Sequence, residues 1–392
     1  MPSKAALSRA HNIADLQRLA RRALPAPMRE YIDGGADDEW TLRRNTAAFD
    51  YYTLTQRALV DVSAVDTSAD LLGHRSALPL ILSPTGMSQL FHSDGELAVA
   101  RAAAAAGVPY SLSTMGTTGM ADIAATGAAR SFQLYLFRDR GLTEALLAQA
   151  AQHGFGALIL TVDTPVAGNR ERDLKTGMVM PPRFTLGSLM SFAAHPRWAI
   201  GAARNRAFRL ANVADHVGDL GAGTSVIDYV NQQFDRTATW ADVAWLRSRW
   251  SGTLVLKGLL TPGDCAEAVA QGADAIMVSN HGGRQLDGAA APVEQIPGIR
   301  DRIRGAAQLI CDGGVRRGTH VLKAIALGAD GCSIGRPYLY GLAAGGEDGV
   351  ARVLTLLAAE IARGMALIGR TRVRDITAAD IAPVNAPSRI AA

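Results

Sequence analysis

The chain has 392 residues, of which 48% are hydrophobic and 19% are charged. This apolar content can supply a large buried core, which argues against a globally disordered protein. The 40 basic and 36 acidic side chains leave a net charge of +4, which does not by itself indicate a nucleic-acid-binding protein.

The cysteine count and the apolar runs restrict the setting of the protein. Three cysteines occur without a CxxC pair, which argues against a disulfide framework and a zinc site, so no metal site is predicted. The N-terminal residues lack the apolar stretch of a secretory signal, and no apolar run is long enough to span a bilayer. We therefore expect a cytoplasmic protein, with any contact to the inner face of the cell membrane peripheral.

Eight short apolar runs, bounded by Gly, Pro or polar residues, predict eight strands that are buried on both faces. In chain order they are Leu78–Ser83, Val108–Leu112, Ser131–Tyr135, Ala157–Asp163, Thr253–Lys257, Ala275–Ser279, Gln308–Asp312 and Gly331–Ile334. Ala-rich helical stretches lie between strands, at Asp94–Ala106, Thr143–Gln152, Pro262–Gln271 and Thr319–Leu327. The alternation predicts an α/β fold, a (β/α)₈ TIM barrel.

Two segments interrupt this alternation within the single domain that we expect over residues 1–392. Residues 1–77 precede the first strand and are predicted to be mainly helical, with Leu16 and Ala20 on one face. Residues 164–240 separate the fourth and fifth strands, and a normal connection is far shorter. This long excursion is predicted to be a functional lid or a docking element.

Polar and glycine residues follow the strands, at the end of a barrel where active sites lie. The last two strands lead to Gly-Gly and Gly-Arg pairs that resemble the usual phosphate site of this fold. A mononucleotide fits better than a dinucleotide, because no GxGxxG motif occurs between a strand and a helix.

The side chains at the strand ends also indicate a chemistry. Lys257 can stabilise an anion that forms on a cofactor ring, and His281 can act as a general base if Asp163 holds it. Arg170 and Arg284 can bind a small carboxylate. A substrate oxygen can accept hydrogen bonds from two tyrosines, Tyr31 and Tyr135.

The run SNHGGRQLDG at Ser279–Gly288 resembles the signature of the FMN-dependent 2-hydroxy-acid oxidising enzymes. Further motifs of that family occur in the same order along nearly the whole chain. They are Tyr31–Ala36, Pro84–Met87, Phe132–Tyr135, Thr161–Asp163 and Asp312–Gly314. The overall resemblance is greatest to the quinone-linked L-lactate and (S)-mandelate dehydrogenases.

The resemblance implies FMN as the cofactor and a role for each matched residue. Tyr31, Arg170 and Arg284 would bind the substrate carboxylate, and Tyr135 its hydroxyl group. His281, oriented by Asp163, would remove a proton from the α-carbon or from the hydroxyl group. The flavin would contact Pro84, Thr85, Gly86, Ser113, Gln133, Thr161, Lys257 and Ser279. Its tail and phosphate would be held by Asp312, Gly314, Arg316, Gly335 and Arg336.

The substrate and the electron acceptor stay open between alternatives. Gly86 stands where soluble oxidases of the family usually have Ala, which favours a dehydrogenase over an oxidase that passes electrons to O₂. Ala167 and Met115 occupy positions that are larger in glycolate oxidase, which leaves room for the aryl group of mandelate as well as for L-lactate. The resemblance also implies a homotetramer.

The excursion contains a basic, apolar stretch. Residues 183–214 carry five arginines and no acidic residue, interleaved with Phe, Leu, Met, Trp and Ile side chains. Such a stretch fits an anionic membrane surface, and it also fits a lid with solvated arginines. The motifs His195–Trp198, Asp228–Tyr229 and Phe234–Asp235 resemble the membrane-associated dehydrogenases.

Two other functions are alternatives to that of an oxidoreductase. The same barrel and phosphate site can serve a non-redox FMN- or nucleotide-binding protein. Such a protein has no need of His281 and Arg284 beside a lysine. Nucleic-acid binding is weaker still, because the arginine-rich stretch matches no binding motif.

Overall fold

Eight parallel strands close into a barrel in the computed structural model, which describes residues 4–178, 183–204, 209–214 and 233–384. The strands are β1 (Leu80–Leu82), β2 (Tyr110–Ser113), β3 (Arg130–Tyr135), β4 (Ala157–Thr161), β5 (Thr253–Leu259), β6 (Ala275–Ser279), β7 (Gln308–Asp312) and β8 (Gly331–Ile334). Each hydrogen-bonds to its neighbours in chain order, and β8 closes the barrel on β1. The predicted (β/α)₈ fold is confirmed.

The barrel interior is apolar in its lower part and polar at its mouth, because side chains alternate along a strand. Every second residue of several strands joins one interior cluster that includes Ile81, Ile159, Val255, Met277 and Ile310. The residues between them join the larger core beneath the helices. A polar residue stands two positions after each of these interior residues. In the same order, these polar residues are Ser83, Thr161, Lys257, Ser279 and Asp312. The same alternation that fills the barrel therefore presents polar groups at the carboxyl ends.

The helices around the barrel follow the strands. They are Gly95–Ala106, Met120–Ala125, Arg140–Gln152, Trp240–Arg247, Pro262–Ala270, Pro292–Ile303, Gly318–Ala326 and Arg336–Leu367. The helix predicted from Thr143 begins earlier, because the Asp139 side chain accepts a hydrogen bond from the backbone N–H of Leu142. The last helix is broken at Gly345 and Gly346, whose backbone angles are not helical.

The N-terminal segment is helical only in its first part. Its helices are Lys4–Ser8, Ile13–Ala23, Ala26–Asp33 and Trp40–Ala47. As predicted, Leu16 and Ala20 are buried, and their helix packs against Arg336–Leu367. The prediction of a mainly helical segment is wrong beyond that, because strands Ala69–Leu71 and His74–Ser76 form a hairpin. Leu71 and Leu72 from this hairpin pack into the apolar cluster inside the barrel.

The long excursion after β4 carries four short helices in its described part. They are Glu171–Thr176, Leu186–Ala193, Pro196–Arg204 and Ala211–Ala214. Arg206, Phe208, Asp228 and Tyr229 lie outside the described residues. Within the described ranges, no helix is long and apolar enough to cross a membrane.

Candidate active site

A cavity of about 310 Å³ lies at the mouth of the barrel. It is lined by the predicted residues Tyr31, Pro84, Thr85, Gly86, Ser113, Tyr135, Arg170, Lys257, His281, Arg284, Asp312, Gly314, Arg316, Gly335 and Arg336. The other four predicted residues, Asp163, Gln133, Thr161 and Ser279, lie directly behind this lining, and each one hydrogen-bonds to a neighbouring predicted residue. The fold thus brings together residues that are up to about three hundred positions apart in sequence.

His281 and Asp163 form a pair at one side of the cavity. The Nδ1 atom of His281 lies 2.9 Å from Oδ1 of Asp163. Since a carboxylate accepts a hydrogen bond, Nδ1 carries the proton and Nε2 of the neutral ring has a free lone pair. Gln285 Nε2 donates to the backbone oxygen of Asp163 at 2.9 Å and so ties the two loops together.

Burial and charge set the protonation of this pair. Burial lowers the pKa of His281, and the positive charge of Lys257 lowers it further, although Asp163 acts in the opposite direction. Burial alone would raise the pKa of Asp163, but His281 and Lys257 outweigh burial and lower it. At neutral pH the pair is therefore a neutral imidazole beside a carboxylate, which is the state of a general base.

Two arginines face the same space as His281. The Nη1 atom of Arg284 donates to the backbone oxygens of Tyr31 at 2.6 Å and Gly34 at 3.1 Å, and its guanidinium lies 4.6 Å from the centre of the Tyr31 ring. Burial and the charge of Arg170 lower the pKa of Arg284 to about 10. The buried Nε atom of Arg170 has no hydrogen-bond partner. Two close cations with spare donors form a site for a carboxylate.

Tyr135 completes this side of the cavity. Its ring packs edge-on against Phe234, which returns from the excursion, at 4.9 Å between ring centres. Burial and the charge of Asp163 raise the pKa of Tyr135, so its hydroxyl group stays protonated and can donate.

A polar network occupies the centre of the barrel mouth. Lys257 Nζ lies 3.2 Å from Ser279 Oγ and 3.6 Å from Asp312 Oδ2. Asp312 also accepts from Ser279 Oγ at 2.7 Å and from Ser83 Oγ at 2.8 Å. The buried lysine is therefore paired with a carboxylate, as a buried charge requires.

Three predicted cofactor contacts form a second chain of hydrogen bonds. Ser113 Oγ donates to Gln133 Oε1 at 2.8 Å, and Gln133 Nε2 donates to Thr161 Oγ1 at 3.0 Å. These two hydrogen bonds fix the orientation of the Gln133 amide, with its oxygen towards Ser113 and its nitrogen towards Thr161. Thr85 is held separately, by a 2.6 Å hydrogen bond between its Oγ1 and the hydroxyl group of Tyr338.

The glycines and arginines after β7 and β8 also line the cavity. Gly314 has a φ of +77°, and a Cβ there would lie 1.9 Å from the Asn45 oxygen, so only glycine fits. Gly335 stands at the N-terminus of the Arg336–Leu367 helix, where unpaired N–H groups favour an anion.

Arg336 is engaged more closely than the sequence indicates. It donates at 2.8 Å to three backbone oxygens, those of Ile32, Gly282 and Gly34. Two of its five N–H donors remain for a ligand. Burial and the charge of Arg284 lower the pKa of Arg336 to about 9.

Several lining residues were missed by the sequence analysis. Ser83 and Ser333 hydrogen-bond to one another next to Asp312. Both stand two positions beyond inward-facing residues, so the alternation along the strands is the signal that could have identified them. Asp173 lies near Arg170 and Arg284, and burial raises the pKa of its carboxyl group. No sequence signal marks it, because its short helix looks like an exposed charged turn.

The cavity has an excess of positive charge. Among the described residues, five cationic side chains line it, namely Arg170, Lys257, Arg284, Arg316 and Arg336. The lining carboxylates are Asp173 and Asp312. Such an excess in a partly buried cavity is stabilised by anionic ligands.

The chain is similar to known proteins over nearly its whole length. Residues 20–383 match the FMN-dependent dehydrogenase family. A putative L-lactate dehydrogenase from Mycobacterium tuberculosis is 39% identical, covering 98% of this chain and 94% of the relative. An L-lactate oxidase from Nostoc sp. is 42% identical, covering 95% of this chain and 98% of the relative. The solved structure of the monotopic membrane protein (S)-mandelate dehydrogenase aligns with a TM-score of 0.90 and 35% identity, covering 96% of this chain and 100% of that one.

The fold and the whole-length similarity define an oxidoreductase built on a TIM barrel. The chain belongs to the FMN-dependent dehydrogenase family, and it oxidises a small 2-hydroxy acid with FMN as its cofactor.

The residues present fit FMN. Arg316 and the helix N-terminus at Gly335 can bind a phosphate, and Lys257 lines the same cavity. Pro84, Met115 and Ile334 add apolar lining, as a flat ring system requires.

Proposed function

We propose that this enzyme oxidises an (S)-2-hydroxy acid of the L-lactate or (S)-mandelate type to the 2-oxo acid, with His281 as the base. The observation that carries the proposal is the 2.9 Å pairing of His281 with Asp163 in a cavity that Arg170 and Arg284 also line. A 2-hydroxy acid has its carboxylate one bond from the carbon that is oxidised. An anion site beside a base matches this arrangement.

Each side chain has a separate task in this scheme. Arg170 and Arg284 bind the substrate carboxylate, and Tyr135 donates a hydrogen bond to the substrate hydroxyl group. His281 accepts one proton at Nε2, from the α-carbon or from the hydroxyl group, and Asp163 stabilises the imidazolium that results. FMN, when bound, would supply the acceptor for the two electrons and the second hydrogen of the substrate. Lys257 lies at the mouth of the barrel, with its Nζ 3.6 Å from Asp312 Oδ2.

The cavity favours an apolar substituent on the substrate. Phe91, Met178, Val166 and Phe234 line it together with Met115. These side chains suit the methyl group of L-lactate and the phenyl group of (S)-mandelate. The names of the three relatives described above point to the same two acids.

We propose that the electrons pass to a quinone or a similar acceptor, since Gly86 lines the cavity where soluble oxidases of the family usually have Ala. The second candidate is an oxidase that forms H₂O₂ from O₂, because a relative that is 42% identical is named an L-lactate oxidase.

One spectroscopic experiment tests both the proposed substrate and the proposed electron acceptor. The yellow protein is mixed anaerobically with L-lactate or with (S)-mandelate, and then with air or with a quinone. Loss of the yellow flavin colour with either acid supports the reductive half of the reaction. Faster recovery with the quinone supports a dehydrogenase, whereas faster recovery in air identifies an oxidase. Failure of both acids to bleach the protein contradicts the proposal.

We also propose that the paired helices Leu186–Ala193 and Pro196–Arg204 lie on an anionic membrane surface. Leu186, Leu189 and Ile200 on these helices are 74%, 53% and 52% exposed. Met190 on the first helix is 62% exposed as well. Residues 183–204, which carry these four exposed apolar side chains, contain no acidic residue. The similar mandelate dehydrogenase is described as a monotopic membrane protein.

Vesicle flotation tests the membrane proposal. We expect the protein to float with vesicles that contain phosphatidylglycerol, and Leu189→Asp or Ile200→Asp to reduce the bound fraction severalfold. Leu367→Asp is the control, because Leu367 is 58% exposed on a different helix. Equal binding of all variants would contradict the proposal. The homotetramer stays a prediction, which light scattering of the purified protein can check.

A further inference from the structure

A salt-bridge cluster above the cavity involves a residue that does not line it. Arg172 belongs to the helix Glu171–Thr176, two positions after Arg170. Its Nη1 atom donates to Glu30 Oε2 at 2.9 Å, and its Nη2 atom donates to Glu39 Oε2. One guanidinium group therefore connects the excursion after β4 with two separate parts of the N-terminal segment.

Two of the elements that Arg172 joins carry parts of the carboxylate site. Its own helix carries Arg170 at the N-terminus. Glu30 precedes Tyr31, whose ring lies 4.6 Å from the guanidinium of Arg284. A shift between these two elements would therefore change the separation of the two arginines.

The turn between the N-terminal helices adds a second connection. Glu39 Oε1 accepts a hydrogen bond from the backbone N–H of Gly35 at 3.0 Å. The neighbouring Gly34 oxygen accepts from Arg284 at 3.1 Å and from Arg336 at 2.8 Å. The stem of Arg172 packs over the same turn, since a Cβ at Gly34 would lie 3.3 Å from its Cδ.

The electrostatics agree with a firmly held cluster. Hydrogen bonds and charge from Glu39 and Glu30 raise the pKa of Arg172, although burial opposes them. Burial would raise the pKa of Glu39, but its contacts with Arg172 and Gly35 lower it. The Arg172 side chain is still 36% exposed, so its ion pairs add little to global stability. Its effect is expected in geometry rather than in folding.

We propose that Arg172 is a positioning residue that sets the spacing of Arg170 and Arg284 and thereby the affinity for the substrate carboxylate. This inference rests on the proposed function of those two arginines. Arg172 touches neither substrate nor cofactor, and it acts through Glu30 and Glu39.

The test compares steady-state kinetics of holoenzyme variants with the better of L-lactate and (S)-mandelate. Arg172→Met removes the charge and keeps the length of the side chain. We expect KM to rise about tenfold, kcat to stay within about twofold, and FMN content to be unchanged, since misplaced binding groups weaken binding. Arg172→Lys should give an intermediate KM, because one ammonium group cannot bridge both carboxylates as well.

The same helix provides a matched control. Lys175 pairs with Glu171 at 2.8 Å, and its side chain is 74% exposed. Lys175→Met should leave KM unchanged. Combining Arg172→Met with Glu39→Gln should add little to the effect of Arg172→Met alone, since both remove the same contact.

Two results would overturn the inference in different ways. If Arg172→Met and Arg172→Lys keep the KM of the Lys175→Met control, Arg172 has no positioning role while the proposed function stands. If neither 2-hydroxy acid reduces the wild-type holoenzyme, the proposed function itself fails and this inference fails with it.

Discussion

His281 meets Asp163 across the barrel mouth, with Nδ1 of the imidazole 2.9 Å from Oδ1 of the carboxylate. The histidine adopts a φ of +58°, a left-handed conformation that is uncommon for residues other than glycine. A hydrogen bond from its backbone N–H to Ser279 Oγ, at 3.0 Å, holds this conformation. The backbone turn directs the ring towards Asp163, and the carboxylate then fixes which nitrogen carries the proton.

Removal of the negative charge from this pair should slow catalysis strongly. Asp163→Asn keeps the shape of the side chain and can still accept a hydrogen bond, but it no longer stabilises the imidazolium. We expect kcat to fall by up to about 10⁴-fold, the size of the corresponding effect in a catalytic triad. Rapid-mixing kinetics of anaerobic reduction measure this directly. A decrease of less than tenfold would argue against an electrostatic role for Asp163.

The value of kcat/KM should fall on the acid side of its pH profile only at low pH. His281 must be neutral to accept a proton, and burial lowers its pKa below the usual 6.5. We therefore expect kcat/KM to fall only as the pH drops below 6.5, through the pKa of His281 in the folded protein. In Asp163→Asn this fall should move to still lower pH, because Asp163 is the group that raises this pKa. A fall in kcat/KM that begins above pH 7 would contradict the assignment of His281 as the base.

The same pKa shift affects stability. The unfolded chain binds a proton at His281 before the folded chain does, so this residue lowers the free energy of unfolding as the pH falls below 6.5. Above pH 6.5 the imidazole is neutral in both the folded and the unfolded chain, and this destabilisation is absent. Chemical denaturation at several pH values, with His281→Gln for comparison, measures it.

Gly86 is expected to be intolerant of even a methyl group. A Cβ at this position would lie 2.7 Å from Cβ of Met115 and 3.2 Å from its oxygen. We expect Gly86→Ala to lower the free energy of unfolding by about 1–3 kcal/mol, since overpacking displaces neighbours. Gly201→Ala is the control, because no atom lies within 4 Å of a Cβ there. Equal melting temperatures for the two variants would show that Met115 moves without cost.

Glu96 is expected to hold two cavity loops together. Its buried carboxylate accepts from the backbone N–H groups of Ser88 and Thr117, each at 3.0 Å, and from the hydroxyl groups of Thr117 and Thr118. Glu96→Ala leaves two buried N–H groups without acceptors. We expect the free energy of unfolding to fall by about 2–5 kcal/mol.

The affinity for FMN should fall in the same variant, because the loops that Glu96 joins carry Gly86 and Met115. Glu144→Ala is the control, since it removes a carboxylate from an exposed ion pair with Arg249. Fluorescence titration with FMN and thermal melting compare the two. Equal losses in both variants would contradict a role for Glu96.

The barrel and most of the candidate site could be predicted from sequence, because both depend on local patterns. Short apolar runs mark the eight strands, and residues such as His281 and Lys257 stand where those strands end. Since all parallel strands end at one mouth, their convergence follows from topology. The hairpin Ala69–Ser76 escaped notice because its strands have three residues each, too few to show alternation.

Contacts between distant segments could not be predicted. Arg336 donates to oxygens of Ile32 and Gly34, about three hundred residues earlier in the chain. Arg172 likewise meets Glu30 and Glu39 only because the excursion folds over the N-terminal segment. No local pattern encodes such pairings, since they depend on how whole elements pack.

The rate of anaerobic reduction of His281→Gln tests the central claim most directly. The variant should bind FMN, remain yellow and keep the affinity of wild type for the 2-oxo acid product, since Arg170 and Arg284 are intact. We predict reduction by L-lactate or (S)-mandelate about 10³-fold or more slower than in wild type, since general-base catalysis typically contributes 10²–10⁴-fold. Reduction at the wild-type rate would show that His281 is not the base.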